Sequence, residues 1–351
     1  MRAFAGRRWQ WLLVAFFVLM VAAGVLHQRA VKLQDNSSPA AAVPAEPIKE
    51  TAALGTDADP DPKLADPESG AQPAMQTIAS PQAVTRQVQE QFQAANEPQK
   101  IYYRNKVAVL TYHHLDPKES SITITPERFK AHLETLRNHG FRVISVEDFV
   151  DFLQKKKPVP PNAVVITFDD GYESVYKYAY PLLKQENMTA TVFLIVGYIE
   201  DSVSRLPPIL TWAEIKQMHA DGFSFYSHSY HSHESVIVKG KELSELVTKL
   251  VNPATKQIET ESEYRARLLA DFQKADDILN AQLGNKVNLL CLPHGQYNQA
   301  VVDVANQAGI PFLFTGTEGL NTDKDKLIKR INAGSPYMSD KLLIAKLSAG
   351  K

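Results

Sequence analysis

The sequence predicts an α/β domain built on a parallel sheet or barrel, preceded by an N-terminal region of different composition. From Lys106 onward, short runs rich in β-branched residues alternate with amphipathic helical runs. The run Val164–Phe168 is continuously apolar, as in a strand that is covered on both faces. A single cysteine, Cys291, rules out an intrachain disulfide, so the core must hold this domain together.

The N-terminus has the features of a membrane segment. Three arginines within the first eight residues precede an uncharged apolar run, Trp9–Leu26, which is about the minimum length for a bilayer span. Basic residues before such a run keep the N-terminus cytoplasmic and direct the rest of the chain outward. We therefore expect residues 1–33 to anchor the chain in the cell membrane by a single pass, with the folded domain extracytoplasmic. The alternative is a cleaved signal peptide, for which Ala22–Gly24 supplies small residues, and which would make the protein secreted.

Residues 34–105 are predicted to form a flexible linker. Nine of the chain's 21 prolines fall there and large apolar residues are scarce, so the segment cannot bury enough surface to offset its ordering entropy. The folded domain is predicted to occupy residues 106–351. The chain has 38 Lys+Arg and 39 Asp+Glu, a net charge of -1, which gives no support for a nucleic-acid partner.

The predicted elements of this domain alternate along the chain. The predicted strands are Val107–Tyr112, Phe141–Val143, Val164–Phe168, Thr189–Val196, Phe223–Ser227, Val287–Leu292 and Pro311–Phe314. The predicted helices are Pro126–His139, a helix capped by Ser145 and reaching Gln154, Val175–Gln185, Ala213–Ala220, Ser262–Leu283 and Gln299–Ala308. The polar segment from Val236 to Glu261 lacks a clear period, and we expect it to be an insertion over one face that forms part of a substrate groove.

Two adjacent carboxylates, Asp169 and Asp170, follow the strand Val164–Phe168. In parallel sheets and barrels, chemistry lies in the loops after the strands. Adjacent side chains in an extended chain point in opposite directions, so one carboxylate can bind a metal while the other faces an attacking water. On these residues alone, an ordinary turn through Asp170 and Gly171 remains open.

Three of the ten histidines, His228, His231 and His233, follow the strand Phe223–Ser227. Neutral imidazoles are ligands for zinc and similar divalent ions. Two histidines and one carboxylate leave the open coordination positions that a catalytic metal needs. A solvated polar loop is the alternative, but the shared position after a strand favours one site for the histidines and the Asp pair.

A third polar loop, Pro293-His294-Gly295, follows the strand Val287–Leu292. Pro and Gly at this spacing predict a tight loop rather than a helix. A simple connection between a strand and a helix accounts for these residues equally well.

Together these motifs resemble the polysaccharide deacetylases of the NodB-homology type, carbohydrate esterase family 4, over about residues 106–347. The segments that carry the resemblance are Thr167–Gly171, His228-Ser229 with His233, and Leu292–Gly295. Leu210-Thr211-Trp212 and Leu110–His114 look most like the branch that acts on poly-β-1,6-N-acetylglucosamine, an exported biofilm polysaccharide. The resemblance implies a distorted (β/α) barrel and metal-dependent hydrolysis of N-acetyl groups from a surface polysaccharide.

The resemblance also implies roles for particular residues. Asp169 would be the general base, and Asp170, His228 and His233 would bind a divalent metal, most readily Zn²⁺. Most of the family has its second histidine where this chain has Ser232, whereas the biofilm-polysaccharide branch uses the longer step that selects His233; His231 is the less suitable choice. The residues expected to bind substrate or support the site are His113, Tyr172, Trp212, Pro293 and Gly295.

Two departures from the family pattern concern catalysis. The third motif usually has an Arg two residues before its Pro, but here that position is Cys291, so the Arg that orients the base is missing. Cys291 itself is expected to be a buried strand residue rather than a nucleophile. The C-terminal Leu-x-His motif, whose His is the general acid, is not evident after Arg330. The proton donor to the leaving amine is therefore either Asp169 or His113.

Other functions remain compatible with these residues. The glycan could equally be peptidoglycan or a chitin-type chain. A metal-free glycosidase would use Asp169 and a second carboxylate, but it leaves the histidine cluster unexplained. A non-catalytic glycan-binding surface protein with an eroded site would account for the missing Arg and His.

Overall fold

The computed structural model describes residues 100–349, so the expected membrane anchor (1–33) and the expected linker up to residue 99 lie outside the described residues. The β-strands are β1 (Val107–Tyr112), β2 (His114–Leu115), β3 (Thr123–Ile124), β4 (Arg142–Val143), β5 (Ala163–Phe168), β6 (Thr191–Leu194), β7 (Ser224–Ser227), β8 (Ser235–Val238), β9 (Lys241–Ser244), β10 (Leu289–Cys291), β11 (Phe312–Phe314), β12 (Leu320–Asn321), β13 (Leu327–Ile328) and β14 (Ile331–Asn332). The α-helices are α1 (Pro126–Asn138), α2 (Val146–Leu153), α3 (Tyr180–Gln185), α4 (Trp212–Ala220), α5 (Glu261–Leu283), α6 (Gln299–Gln307) and α7 (Asp340–Ser348). A π-helix, Val175–Ala179, runs into α3, and 3₁₀ helices occupy Val196–Ser204, Glu245–Val247 and Pro293–Gly295. Within the described part of the chain, no helix is both long and apolar enough to cross a bilayer.

The predicted strands and helices are all present, with ends that differ by two residues or fewer, except that the predicted helix Val175–Gln185 consists of a π-helix followed by α3, which begins only at Tyr180. Side-chain caps explain where the helices begin. Thr125 accepts a hydrogen bond from the amide of Arg128 at 3.1 Å and thereby caps α1. Thr211 and Thr260 form capping boxes at the starts of α4 and α5, in which each threonine and the glutamate three residues later satisfy each other's free backbone amides.

A nearly closed, barrel-like sheet forms the centre of the domain. Its strand order is β12-β1-β5-β6-β7-β10-β11-β13, with β14 paired to β1 and β4 paired to β5. Apart from the antiparallel pair of β1 with β12, the pairings in this sheet are parallel. All the residues of β1 and β5 are buried, as expected for strands covered on both faces.

The alternation of side chains explains the barrel. Val107 and Val109 of β1 lie in one apolar cluster, which α2 also joins, whereas Ala108 and Leu110 lie in another that packs against α1, α3, α4, α5 and α7. The first cluster also receives side chains from β5, β6, β7, β10, β11 and β13. Because its strands extend from β1 to β13, nearly the whole width of the sheet, this cluster is the interior of the barrel.

The segment after the histidine loop begins with a β-hairpin, which the sequence analysis described only as an insertion. Strands β8 and β9 pair antiparallel around Lys239 and Gly240, which have φ values of +50° and +74°. Two consecutive positive φ angles fit a type I′ turn, the connection that matches the twist of a two-residue hairpin. The hairpin starts two residues after His233, so its first residues lie beside the predicted site. Its place in a substrate groove stays a prediction.

Candidate active site

The carboxyl ends of the parallel strands meet at one edge of the barrel, and the predicted site lies there. The register pairs Tyr112 of β1 with Phe168 of β5, so the residues that follow them, His113 and Asp169, lie side by side. The amide of Asp169 donates to the carbonyl of Tyr112 at 2.9 Å, which continues this pairing beyond the strands.

Asp169 and Asp170 point to different partners because the chain turns sharply between them. Asp170 and Gly171 have φ values of +70° and +77°, so the extended conformation ends at Asp169. Asp170 is a non-glycine residue in the left-handed region, a strained conformation that is common at functional sites. The amide of Leu210 donates to the carbonyl of Gly171 at 2.8 Å and fixes this turn.

Asp170, His228 and His233 converge on one point. The Nε2 atoms of His228 and His233 lie 3.4 Å and 3.1 Å from Oδ1 of Asp170. The three ligand atoms all lie within 4.8 Å of one another. His231, by contrast, lies against Gly197 and outside this group. The geometry thus brings together the three residues that the sequence analysis selected as metal ligands, although their role as ligands stays a prediction.

These three residues fit a divalent cation. Nδ1 of His228 lies 2.8 Å from the carbonyl oxygen of Cys291. Since a carbonyl oxygen only accepts, Nδ1 carries a hydrogen, so Nε2 is the atom that donates to Asp170 in the protonated ring and could bind a cation in the neutral ring. A cation in this position would take the place of the protons that the two Nε2 atoms share with Asp170. A carboxylate with two imidazoles is also a ligand set suited to zinc.

Arg330 supplies the guanidinium that the third motif lacks, which corrects the expectation that no arginine orients the base. Its Nη1 lies 2.8 Å and 2.9 Å from the two carboxylate oxygens of Asp169, and its Nε donates to the carbonyl of Thr315 at 2.9 Å. Arg330 and Asp169 are both buried. The arginine comes from the segment between β13 and β14, and β14 pairs with β1, which neighbours β5.

Cys291 occupies the position of the family's arginine and also contacts Asp169. Its Sγ lies 3.5 Å from both carboxylate oxygens, so the thiol is a weak donor to them. Burial raises the pKa of this thiol, which keeps it protonated. The buried strand position that the sequence predicted is therefore confirmed.

Electrostatics keep both carboxylates charged. Burial by itself raises the pKa of Asp169, but the Arg330 guanidinium and the rings of His228 and His113 outweigh it, so this pKa lies below its usual value. Burial likewise raises the pKa of Asp170, whereas hydrogen bonds from His228 and His233 lower it more strongly, to well below its usual value. Two adjacent carboxylates thus stay ionised in separate environments.

The supporting residues divide into those that reach the cleft and those that do not. His113, Tyr172 and Gly295 line the cleft that contains Asp169 and the three predicted ligands. Pro293 is buried, and Trp212 packs against the hydrophobic core at the start of α4. Neither belongs to the lining of the cleft.

His294 was not selected from the sequence, yet it reaches the cleft where its neighbour Pro293 does not. Its backbone is left-handed, with φ +57°, which turns the side chain toward His233. Its Nε2 donates to the carbonyl of His233 at 2.8 Å. A polar residue between Pro and Gly was the only signal in the sequence for this position.

His113 faces Asp169, the predicted base. Its Nε2 lies 3.8 Å from Oδ2 of Asp169, longer than a hydrogen bond, and its side chain is partly exposed to the cleft. Nδ1 of His113 is buried, and no hydrogen-bond partner for it is found within residues 100–349. Nε2 is therefore the nitrogen that can exchange a proton with a ligand in the cleft.

A second cleft adjoins the first. Both are lined by Asp170, Tyr172 and His233, so they meet at two of the three predicted metal ligands. The second cleft is lined further by Tyr198, Arg205, Leu206 and Glu234. The site is therefore open on two sides, a shape that accommodates an extended chain.

Known proteins match this arrangement. Residues 156–313 match the polysaccharide deacetylase family. The poly-β-1,6-N-acetyl-D-glucosamine N-deacetylase of Staphylococcus epidermidis is 25% identical over 240 residues, which covers 64% of this chain and 77% of that protein. The Staphylococcus aureus protein of the same name is 24% identical over 261 residues, covering 67% of this chain and 82% of that protein.

Solved structures show the same fold. A de-N-acetylase from Aggregatibacter actinomycetemcomitans superimposes with a TM-score of 0.62 at 24% identity, covering 69% of this chain and 99% of that one. The deacetylase domain of BpsB from Bordetella bronchiseptica gives 0.57 at 27% identity, covering 67% and 97%. IcaB from Ammonifex degensii gives 0.59 at 23% identity, covering 70% and 97%. Residues 156–313 therefore belong to a polysaccharide deacetylase domain of the NodB-homology type, carbohydrate esterase family 4, a family of enzymes.

Proposed function

We propose that this protein is a metal-dependent N-deacetylase whose substrate is poly-β-1,6-N-acetylglucosamine. The observation that carries the proposal is the separation of Asp169 from Asp170. One carboxylate pairs with Arg330 and faces the cleft, and the other lies with two imidazoles. Adjacent residues in such different surroundings are suited to two different tasks in one reaction.

The proposed reaction is hydrolysis of the acetamide, in which water adds to the carbonyl carbon and the carbon–nitrogen bond breaks to give acetate and a free amine. Asp170, His228 and His233 would hold a divalent cation, which would supply Lewis-acid polarisation of the acetamide group. Asp169 accepts a proton from the attacking water, and Arg330 holds its carboxylate in place.

The leaving amine must receive a proton, and two residues can supply it. His113 is our first choice, because its Nε2 lies beside Asp169 and borders the cleft. Asp169 can return the proton it has accepted, as the second choice. A His113→Gln variant that retains the full turnover of the parent would select Asp169.

Two observations support the choice of glycan. The relatives that carry the name poly-β-1,6-N-acetyl-D-glucosamine N-deacetylase align over most of this domain. The clefts on both sides of Asp170 give room for sugar units on either side of the reacting one. Peptidoglycan and chitin-type chains are the alternative substrates, and a non-catalytic glycan-binding role is the alternative function.

Acetate release from a panel of N-acetylated glycans tests the proposal. We expect the highest kcat/KM on poly-β-1,6-N-acetylglucosamine, loss of activity with a chelator and recovery with Zn²⁺. A higher value on peptidoglycan or on chitin oligomers would replace the substrate. Glycan binding without acetate release, with Zn²⁺ present, would indicate the non-catalytic role.

We also propose that residues 1–33 anchor the protein in the cell membrane with the deacetylase domain extracytoplasmic, which would place the enzyme where an exported glycan passes. The arginines before the run Trp9–Leu26 support this orientation. A C-terminal reporter that is active only outside the cytoplasm, together with recovery of the full-length chain in membranes, is the expected result. A soluble product beginning near Gly24 would instead indicate a cleaved signal peptide.

A further inference from the structure

The two predicted histidine ligands belong to one loop, residues 228–233, which has no regular secondary structure to fix it. Ser229 has a φ of +79°, so the chain bends sharply directly after His228. A loop of this kind would move freely unless other parts of the fold satisfied its backbone groups. Its hydrogen bonds therefore decide how well the two imidazoles stay in position.

One buried carboxylate satisfies three consecutive amides of this loop. Oδ1 of Asp271 accepts from the amide of Tyr230 at 3.0 Å. Oδ2 accepts from the amides of His231 and Ser232 at 2.8 Å and 3.2 Å. Asp271 lies in the middle of α5 and is only 9% exposed, so water competes little for these bonds.

The opposite side of the loop is held by the 3₁₀ helix that follows β6. The amides of Val196 and Gly197 donate to the carbonyls of Ser229 and Tyr230 at 3.1 Å and 2.9 Å. A Cβ on Gly197 would lie 2.5 Å from Cε1 of His231. His231 thus packs against a glycine, which turns its ring away and makes His233 the second histidine that reaches Asp170.

We infer that Asp271 is a positioning residue for the metal site: it acts through the loop backbone to hold His228 and His233 at the spacing a cation needs. This inference rests on the proposed function. Its physical basis is that an ionised carboxylate only accepts hydrogen bonds and has two oxygens, so it can bind several amides that converge on it. Groups that orient the direct ligands commonly affect metal affinity by about 10- to 100-fold.

Asp271→Asn tests the inference with little change in volume. The amide retains one acceptor oxygen but places an NH₂ group against amides that themselves donate. We expect faster hydrogen exchange at Tyr230, His231 and Ser232 in the metal-free protein. The dissociation constant for Zn²⁺ should rise by about 10- to 100-fold, and the visible spectrum of the Co²⁺-loaded protein should change because the ligand geometry changes.

Two companion variants separate positioning from general stability. Asp276→Asn makes the same chemical change at another buried position of α5 and should leave the exchange of the loop amides, the Zn²⁺ affinity and the Co²⁺ spectrum as in the parent. Asp271→Glu keeps a carboxylate and should recover part of the Zn²⁺ affinity. If Asp271→Asn folds poorly, Asp271→Glu still reports on the loop through its exchange rates and spectrum.

The outcomes distinguish this inference from the proposed function. Unchanged Zn²⁺ affinity and Co²⁺ spectrum in Asp271→Asn, with faster loop exchange, would reduce Asp271 to a structural cap and overturn the inference. Unchanged loop exchange would overturn it as well. A parent protein that binds Zn²⁺ with the expected dependence on Asp271 but releases no acetate would contradict the proposed function and leave the positioning role intact.

Discussion

Nη1 of Arg330 donates to both carboxylate oxygens of Asp169 although the two residues are 161 positions apart in the chain. The pair is buried, and a buried charge that loses its partner is costly. Arg330→Gln should therefore lower the free energy of unfolding by about 3–5 kcal/mol, as measured by urea denaturation. In the double variant with Asp169→Asn the loss should be smaller than the sum of the two single losses, whereas strictly additive losses would show that the pair is not coupled.

The same substitution should also move the pH dependence of activity. Arg330 lowers the pKa of Asp169, and the proposed base works only when ionised, so the parent keeps its base active to lower pH. Without the guanidinium, only the rings of His228 and His113 oppose the effect of burial, so this pKa should rise and the acidic limb of the kcat/KM profile should shift to higher pH. Arg330→Lys retains a positive charge and should shift the limb less. An unchanged limb in Arg330→Gln would mean that another group controls it.

The proposed base can be separated from the proposed ligands. Asp169→Asn leaves Asp170, His228 and His233 in place, so Zn²⁺ content should stay near that of the parent. Turnover should fall by about 100- to 10,000-fold, the usual contribution of a general base. Zn²⁺ content by elemental analysis and acetate release check the two halves of this prediction. Full turnover in Asp169→Asn would exclude it as the base.

Removal of a predicted ligand should instead lower the Zn²⁺ content of the protein. Asp170→Ala, His228→Ala and His233→Ala each remove one of the three converging groups and should lose bound Zn²⁺. His231→Ala is the matched control, because this ring packs on Gly197 and lies outside the group. Full Zn²⁺ occupancy in His233→Ala together with loss in His231→Ala would reverse the ligand assignment.

Gly295 should tolerate no side chain. Its φ is +65°, and a Cβ there would lie 2.5 Å from both Cα and N of Gly316, so backbone would have to move. Gly284 is a suitable control, since its φ is +71° but no heavy atom lies within 4 Å of the added Cβ. Gly284→Ala should lower the free energy of unfolding by about 1–2 kcal/mol from left-handed strain alone. Gly295→Ala should lower the free energy of unfolding by about 1–3 kcal/mol more because of the clash with Gly316. Equal losses in the two variants would show that the backbone at Gly316 does not restrict Gly295.

Asp276 should make stability depend on pH. Burial raises the pKa of this carboxyl to about 7, and no hydrogen-bond partner for its Oδ2 is found among the described residues. The unfolded value is about 3.9, so ionisation costs the folded state nothing below that pH. The cost grows as the pH rises toward 7 and is complete above it. Asp276→Asn should therefore raise the free energy of unfolding at pH 8, by on the order of 4 kcal/mol, and change it little at pH 4.

Denaturation series at the two pH values check this prediction. The exposed neighbour Asp277 provides a control, because Asp277→Asn leaves the buried carboxyl in place and should have a much smaller effect. An equal effect of Asp276→Asn at both pH values would show that it acts through packing rather than charge.

Local patterns were sufficient to predict most elements of the fold. Caps such as Thr125 and Thr260 marked helix starts, and continuous apolar runs such as Val164–Phe168 marked buried strands. The hairpin at Lys239 and Gly240 was predictable from its alternating flanks and central glycine, although it was described only as polar insertion. These features depend on residues that are close together in the chain, so they can be predicted from the sequence.

The site was only partly predictable, because some of its contacts join residues that are far apart in the chain. Asp170, His228 and His233 each follow a strand, and parallel strands bring their ends together, so their proximity could be inferred. Arg330 and Asp271 could not be found this way, because each acts through a contact that depends on how distant elements pack. Two basic residues between Ile328 and Ile331, Lys329 and Arg330, were a weak signal that one of them is buried in a pair.

Because β1 pairs with β14, the site can be completed only after the last part of the domain has been synthesised. During translation, Asp169, Asp170 and both histidines leave the ribosome well before Arg330. Strand β1, which ends just before His113, also pairs with β12 and β14, and these two strands are translated near the end of the domain. A nascent chain therefore carries every predicted metal ligand before it can pair Asp169 with Arg330, so the complete site forms only after the final strands have been made.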